Sequence, residues 1–189
     1  PSGGVIQVEY ESDDYAYVQH LPAMQMVKVL GMGPNSSTIT DFTYEKHNGT
    51  FNHNPYNYLF VELPFAASSD QDFRDTYLKG IEEMYVNMLI DLSDKGNFER
   101  VGGFVEVSRV GGIAQAGLVA NSNGTEAWIK LNLVKKCKKK DATDCEEFPA
   151  VPRLAWEYCH MYFPEIIHPG SNLLEIQDSP INALSGFGR

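Results

Sequence analysis

Glu157 and His160 stand three residues apart in the stretch PRLAWEYCHMYF. On a helix that spacing puts two side chains on one face, as a pair of metal ligands or an acid–base couple would require. A dinuclear centre needs a second such pair, and the chain has none. His47 and His53 bracket a polar loop and, with Asp41, could hold a zinc ion, but a third clear ligand is missing. Asp91, Ser93 and Glu99 echo a calcium loop, yet Lys95 occupies a ligand position and Gly102 stands where the closing glutamate belongs. Gly31-Met32-Gly33 stops short of a dinucleotide-binding turn, and no phosphate-binding loop, nucleophile elbow or H-E-x-x-H pattern occurs. The expectation is therefore no catalytic centre, no metal and no cofactor. For a hydrolase with a dispersed site, His160 beside Cys159 and Glu157 is the best-placed centre.

The cysteines and lysines carry a different chemistry. Cys137 and Cys145 flank KKKDATD, a spacing suited to a disulfide that closes a tight hairpin and stabilises it by ~2–3 kcal/mol. Cys159 is left over as a buried apolar thiol, although three cysteines do not determine a connectivity. Lys135, Lys136, Lys138, Lys139 and Lys140 crowd into six positions and are followed by Asp141, Asp144, Glu146 and Glu147. Two readings stand. The arms neutralise each other at a solvated hairpin tip, or a basic finger docks on an acidic surface or a sulfated glycan.

Three Asn-x-Ser/Thr triplets, at Asn35, Asn48 and Asn123, fall in turn-like segments where glycans are tolerated. With the disulfide they point to an extracellular or secreted protein. Tyr44, Tyr56, Tyr58 and Trp128 are candidates to stack on sugar rings, against the plainer role of core packing.

The elements that would position these residues are read from periodicity. VIQVEY (5–10), MQMVKVL (24–30), ITDFTY (39–44) and YLFVELPF (58–65) read as strands. Ser68, Ser69 and Asp70 offer N-caps, and from Asp70 to Leu92 the residues Phe73, Tyr77, Ile81, Met84, Tyr85, Met88 and Leu92 recur at helical spacing, which predicts one long amphipathic helix over 70–92. FVEVSRV and IAQAGLVA, joined by Gly111-Gly112, read as a hairpin, and AWIKLNLV extends it to a meander. Gly102-Gly103 suggests a bulge or the close approach of another backbone. A short helix runs over about 152–162, and LLEIQ (173–177) is a candidate last strand. The fold class expected is α+β: a mainly antiparallel sheet of about 7–9 strands packed by the long helix and the short one. Residues 1–189 read as a single domain, with 1–20 an extended N-terminal arm and 178–189 an exposed tail.

Over residues 58–120 the succession of a strand (YLFVELPF), a helix (FRDTYLKGIEEMYVNML) and a hairpin (FVEVSRVGGIAQAGLVA) resembles the first part of a SEA domain. The resemblance implies an extracellular α+β module of the kind found in mucins and adhesion receptors. Self-cleaving SEA domains carry Gly-Ser at the hairpin turn. Here the turn is Gly111-Gly112-Ile113, without a hydroxyl, so the resemblance implies no self-cleavage.

Twenty-five acidic against fifteen basic residues give a formal charge of −10, which argues against a phosphate-backbone partner and hence a nucleic acid. No apolar run approaches ~18 residues, so no membrane-spanning helix is expected. The chain begins at Pro1 without a signal-peptide pattern, which reads as a mature, processed or excised segment. The leading function is a non-enzymatic extracellular or surface glycoprotein domain, acting through contacts with a protein partner or copies of itself. A viral coat or surface subunit falls in the same class. A carbohydrate-binding module and a hydrolase are the alternatives.

Overall fold

The computed structural model describes residues 17–18, 21–22, 24–40, 56–91, 98–137, 145–162 and 183–188. In chain order the elements are β1 (Tyr17–Val18), β2 (Leu21–Pro22), β3 (Met24–Asn35), β4 (Thr38–Thr40), β5 (Tyr58–Glu62), α1 (Asp70–Tyr77), β6 (Glu83–Asp91), β7 (Phe98–Glu106) and β8 (Arg109–Val110). After these come β9 (Ile113–Ala114), β10 (Ala116–Leu118), β11 (Glu126–Lys130), β12 (Leu133–Cys137), β13 (Cys145–Pro149), α2 (Ala150–Tyr162) and β14 (Ala183–Gly188).

The main sheet runs β10-β11-β5-β3-β14-β6-β7, with β4 added beside the far end of β3, and every pairing is antiparallel. Its two ends meet. Beyond β7, Val107 bridges Leu131 just past β11. Ser108 N–H donates to the Lys130 carbonyl (2.8 Å) and Asn132 N–H to the Glu106 carbonyl (2.9 Å). The sheet therefore curls round on itself, and its alternate residues form one interior: Val27 and Val29 from β3, Leu59 and Val61 from β5, Met84, Val86 and Met88 from β6, Ala127 and Ile129 from β11. Phe73 and Tyr77 of α1 and Val151, Ala155 and Cys159 of α2 join the same core.

The long helix over 70–92 is not formed, and the described residues make a mainly antiparallel β-structure with two short helices, not the α+β arrangement expected. α1 starts as the caps predict: the Ser69 hydroxyl accepts from Asp72 N–H. The Asp72 carboxylate in turn accepts from the Ser68 N–H and hydroxyl, which holds its pKa below the ordinary value. The helix stops at Leu78, and Gly80 at φ 76° turns the chain. The next element is β6, whose nine residues all find partners on β7. Met84 and Met88 are four apart, a spacing that fits one helical turn and two strand alternations equally. Val86 breaks the tie, because in a strand it shares the buried face of both methionines. The helical segment behind the SEA resemblance is thus α1 followed by a strand.

Other expectations shift in detail. The expected meander forms in part: β8 and β9 make a short hairpin across Gly111-Gly112 and β10 pairs with β11, but β7 pairs with β6 instead of extending the hairpin. No bulge occurs at Gly102-Gly103, since the register passes evenly through Asn87–Gly102 and Val86–Gly103. Side chains approach there instead, Tyr85 over Gly102 and Leu154 of α2 over Gly103. Residues 183–188, read as part of an exposed tail, form β14 between β3 and β6. The short helix is α2, beginning at Ala150. The strands expected at 5–10 and 173–177, and all of the N-terminal arm over 1–20 except Tyr17–Val18, lie outside the described residues.

Candidate functional site

The β8–β9 hairpin carries two of the exposed large apolar side chains among the described residues, and the fold braces it. Gly111 and Gly112 both take positive φ (58° and 81°), as a two-residue turn matching the strand twist requires. Val110 and Ile113 flank them as register partners and are 64% and 63% exposed. Beneath them Arg109 locks the turn to the body of the protein. Its Nη1 donates to the Gly112 carbonyl (2.8 Å), and its Nη2 donates to the carbonyls of Leu78 (3.2 Å) and Ile81. Ser108 and Gln115 close the hairpin base through a 2.8 Å side-chain hydrogen bond. The tip thus presents two exposed apolar side chains on a turn that hydrogen bonds tie to the body.

A second feature is a groove of about 810 Å³ where β6, β7, β12, β13 and α2 converge. Its charged walls are largely paired. Lys135 Nζ lies 3.0 Å from Glu147, and Arg153 Nε donates to Glu157 at 2.8 Å. The Arg153 guanidinium also sits over the Phe148 ring, its centre 5.2 Å from the ring centroid, and the residue is only 5% exposed. Asn132 Nδ2 donates to Glu106 at 3.1 Å. The groove therefore offers a mixed-charge wall with no single sign to select a ligand.

The residues singled out in the sequence are dispersed. Asn35 is exposed in the β3–β4 turn, its Oδ1 accepting from the Ser37 N–H (2.9 Å) and hydroxyl (2.8 Å). Asn123 is exposed at φ 54° in the connection between β10 and β11. Gly33 faces one end of β5 at Tyr58 and Glu126 faces the other at Glu62, so the two asparagines lie beyond opposite ends of that strand. Asn48 is outside the described residues. The β12–β13 register sets Cys137 directly opposite Cys145, with Lys136 opposite Glu146 and Lys135 opposite Glu147. Lys138, Lys139 and Lys140 lie outside the described residues. Among the aromatic candidates Tyr56 is core, while Tyr58 and Trp128 are half-buried with centroids 5.6 Å apart and planes tilted by 50°. Lys130 Nζ covers the Tyr58 ring at 5.6 Å. Tyr44, His47, His53 and Asp41 lie outside the described residues.

Glu157 is engaged with Arg153, and Cys159 is a buried thiol whose pKa is raised by burial and further by the Glu99 carboxylate. The His160 side chain is outside the described set. Among the described residues no three His, Cys, Asp or Glu side chains group to hold a metal ion, and no helix is long and apolar enough to cross a membrane.

Sequence reasoning found the Gly111-Gly112 turn but missed its two flanking apolar residues and the arginine behind them. The signal was present as Arg-Val-Gly-Gly-Ile, an apolar pair at a turn where polar residues are usual. No family model, no curated protein and no solved structure matches the chain.

Proposed function

We propose that the chain works without catalysis, as an extracellular or surface glycoprotein domain that binds a protein partner or further copies of itself. The observation that carries this reading is the braced apolar tip. Burying a Val or Ile side chain is worth about 1.5–3 kcal/mol, and both Val110 and Ile113 hold most of that in reserve. A turn already held by hydrogen bonds to the body has less freedom to lose on docking. The basic stretch Lys135–Lys140 adds an arm for an acidic surface or an anionic glycan, with Lys135 itself engaged by Glu147.

The double variant Val110→Ser, Ile113→Ser tests the tip. Sedimentation velocity across a concentration series is expected to show self-association weakened at least tenfold while thermal stability stays within about 0.5 kcal/mol, as for exposed sites. Equal association of both proteins, or none in either, would remove the tip as a self-contact.

The compartment is tested by intact mass. Residues directly opposite in an antiparallel pair have Cα atoms about 4.5–5.5 Å apart, inside the span of a disulfide. We therefore expect Cys137 and Cys145 to be bonded and Cys159 to be inaccessible. Native protein should take up no alkylating reagent, two equivalents after reduction, and a third only on unfolding. The same measurement on material from its natural source should show sugar at Asn35, Asn48 or Asn123 that an N-glycan-cleaving enzyme removes. Three free thiols and no sugar would end the extracellular reading.

A further inference from the structure

The main sheet is built from two parts that touch along one side only through β14. β3 presents Met24–Lys28 to it and β6 presents Val86–Met88, and no pairing between β3 and β6 occurs among the described residues. Lifting β14 out would leave two facing rows of main-chain N–H and C=O groups beside the buried side chains of Val27, Val86 and Met88. Unpaired backbone groups near a core are costly, so the slot must be filled. The filling strand, Ala-Leu-Ser-Gly-Phe-Gly, has two glycines and little strand propensity of its own. The slot holds the strand; the strand does not form by itself.

β14 also stands far along the chain from the described element before it. Twenty residues, 163–182, separate it from α2, far more than ordinary connections of about 4–6 residues. Fully extended, twenty residues span at most ~66–72 Å, so the sequence length allows the strand to reach the slot of a neighbouring copy. Every copy offers the same slot and the same strand, so the register pairs of Leu184 with Lys28 and Asn87 are satisfied identically within one chain or between two. Only effective concentration chooses between them, of millimolar order for a tethered partner.

We propose that the slot between β3 and β6 is a strand-acceptor site and that β14 is exchanged between copies, so that one protomer completes the sheet of the next. At high local concentration, as on a surface or in a coat, the donated strand becomes the link of an assembly. This rests on the assembly reading only in naming a second copy as partner; the hairpin tip takes no part in it.

Two full-length single variants, Asn87→Cys and Leu184→Cys, test the exchange. They are mixed in equal amounts, refolded from urea at ~1 µM and at ~1 mM to span the millimolar tether concentration, then oxidised and mapped by mass spectrometry. A peptide linking positions 87 and 184 can arise in this mixture only between chains. It is expected in a large fraction of the chains at the higher concentration and in under a tenth of that amount at the lower. The double variant Asn87→Cys, Leu184→Cys, refolded at ~1 µM, is expected to give the same link within one chain, as the tethered strand should outcompete its neighbours there. No link in the mixture at ~1 mM, or no link within the double variant, overturns the proposal. A link that survives Val110→Ser, Ile113→Ser separates strand exchange from the tip contact.

Discussion

Replacing Phe73 with alanine is expected to destabilise the protein by about 3–5 kcal/mol, the range for deleting a buried ring. Phe73 is 0% exposed and leans on Tyr77, with ring centroids 5.7 Å apart. α1 has only eight residues, too few to persist in water without tertiary support. Its apolar face is therefore what keeps it in place, and with it the polar links to β10. Arg74 Nη1 donates to the Ala116 carbonyl (2.8 Å), and the Asp70 carboxylate accepts from Leu118 N–H (2.8 Å). Losing ~3–5 kcal/mol would consume a large share of the ~5–15 kcal/mol typical of a domain. Urea unfolding reads this as a lowered midpoint at unchanged slope. A loss below about 1 kcal/mol would show that this helix does not seal the core.

Replacing Arg109 with alanine should cost about 2–4 kcal/mol, because hydrogen bonds from a charged donor are worth more than neutral ones and their carbonyl acceptors are left without it. Three carbonyls are affected, those of Leu78, Ile81 and Gly112. Two belong to the turn after α1 and one to the hairpin, so the variant should also free the tip from the body. Lysine is a poor substitute, having a point charge where a planar fork spans separate acceptors. The check is twofold. Urea unfolding should give the stability loss, and hydrogen exchange should quicken at the backbone N–H of Gln115, which donates to the Ser108 carbonyl at the hairpin base. A stable variant with unchanged exchange would show that the arginine braces nothing.

How far such behaviour could be read from residue order varies from element to element. The Ser69 cap, the Gly111-Gly112 turn and the opposition of Cys137 to Cys145 were legible, since each depends on a few neighbouring residues. The stripe from Phe73 to Met88 was legible as buried but not as structure. Phe73, Tyr77, Ile81, Met84 and Met88 are all in the core, yet spacing by four cannot tell a helix from a strand. The decision fell to β7, which supplies nine cross-strand partners that no local pattern in 83–91 announces. The candidate tip was half legible: its turn is local, while its exposure depends on what Arg109 reaches across the chain.

By itself, then, the order of residues determined what is local: which side chains are apolar, where the chain turns and where a helix can be capped. Only the tertiary structure decided that β6 is a strand, that residues 183–188 lie in the middle of a sheet, and that Val107 meets Leu131 to bring its ends together. The reason is that a strand's hydrogen-bonding groups point sideways and are satisfied by residues distant in sequence. A helix closes its bonds within one turn and leaves its mark on neighbouring positions; a strand's partner is chosen by the whole chain.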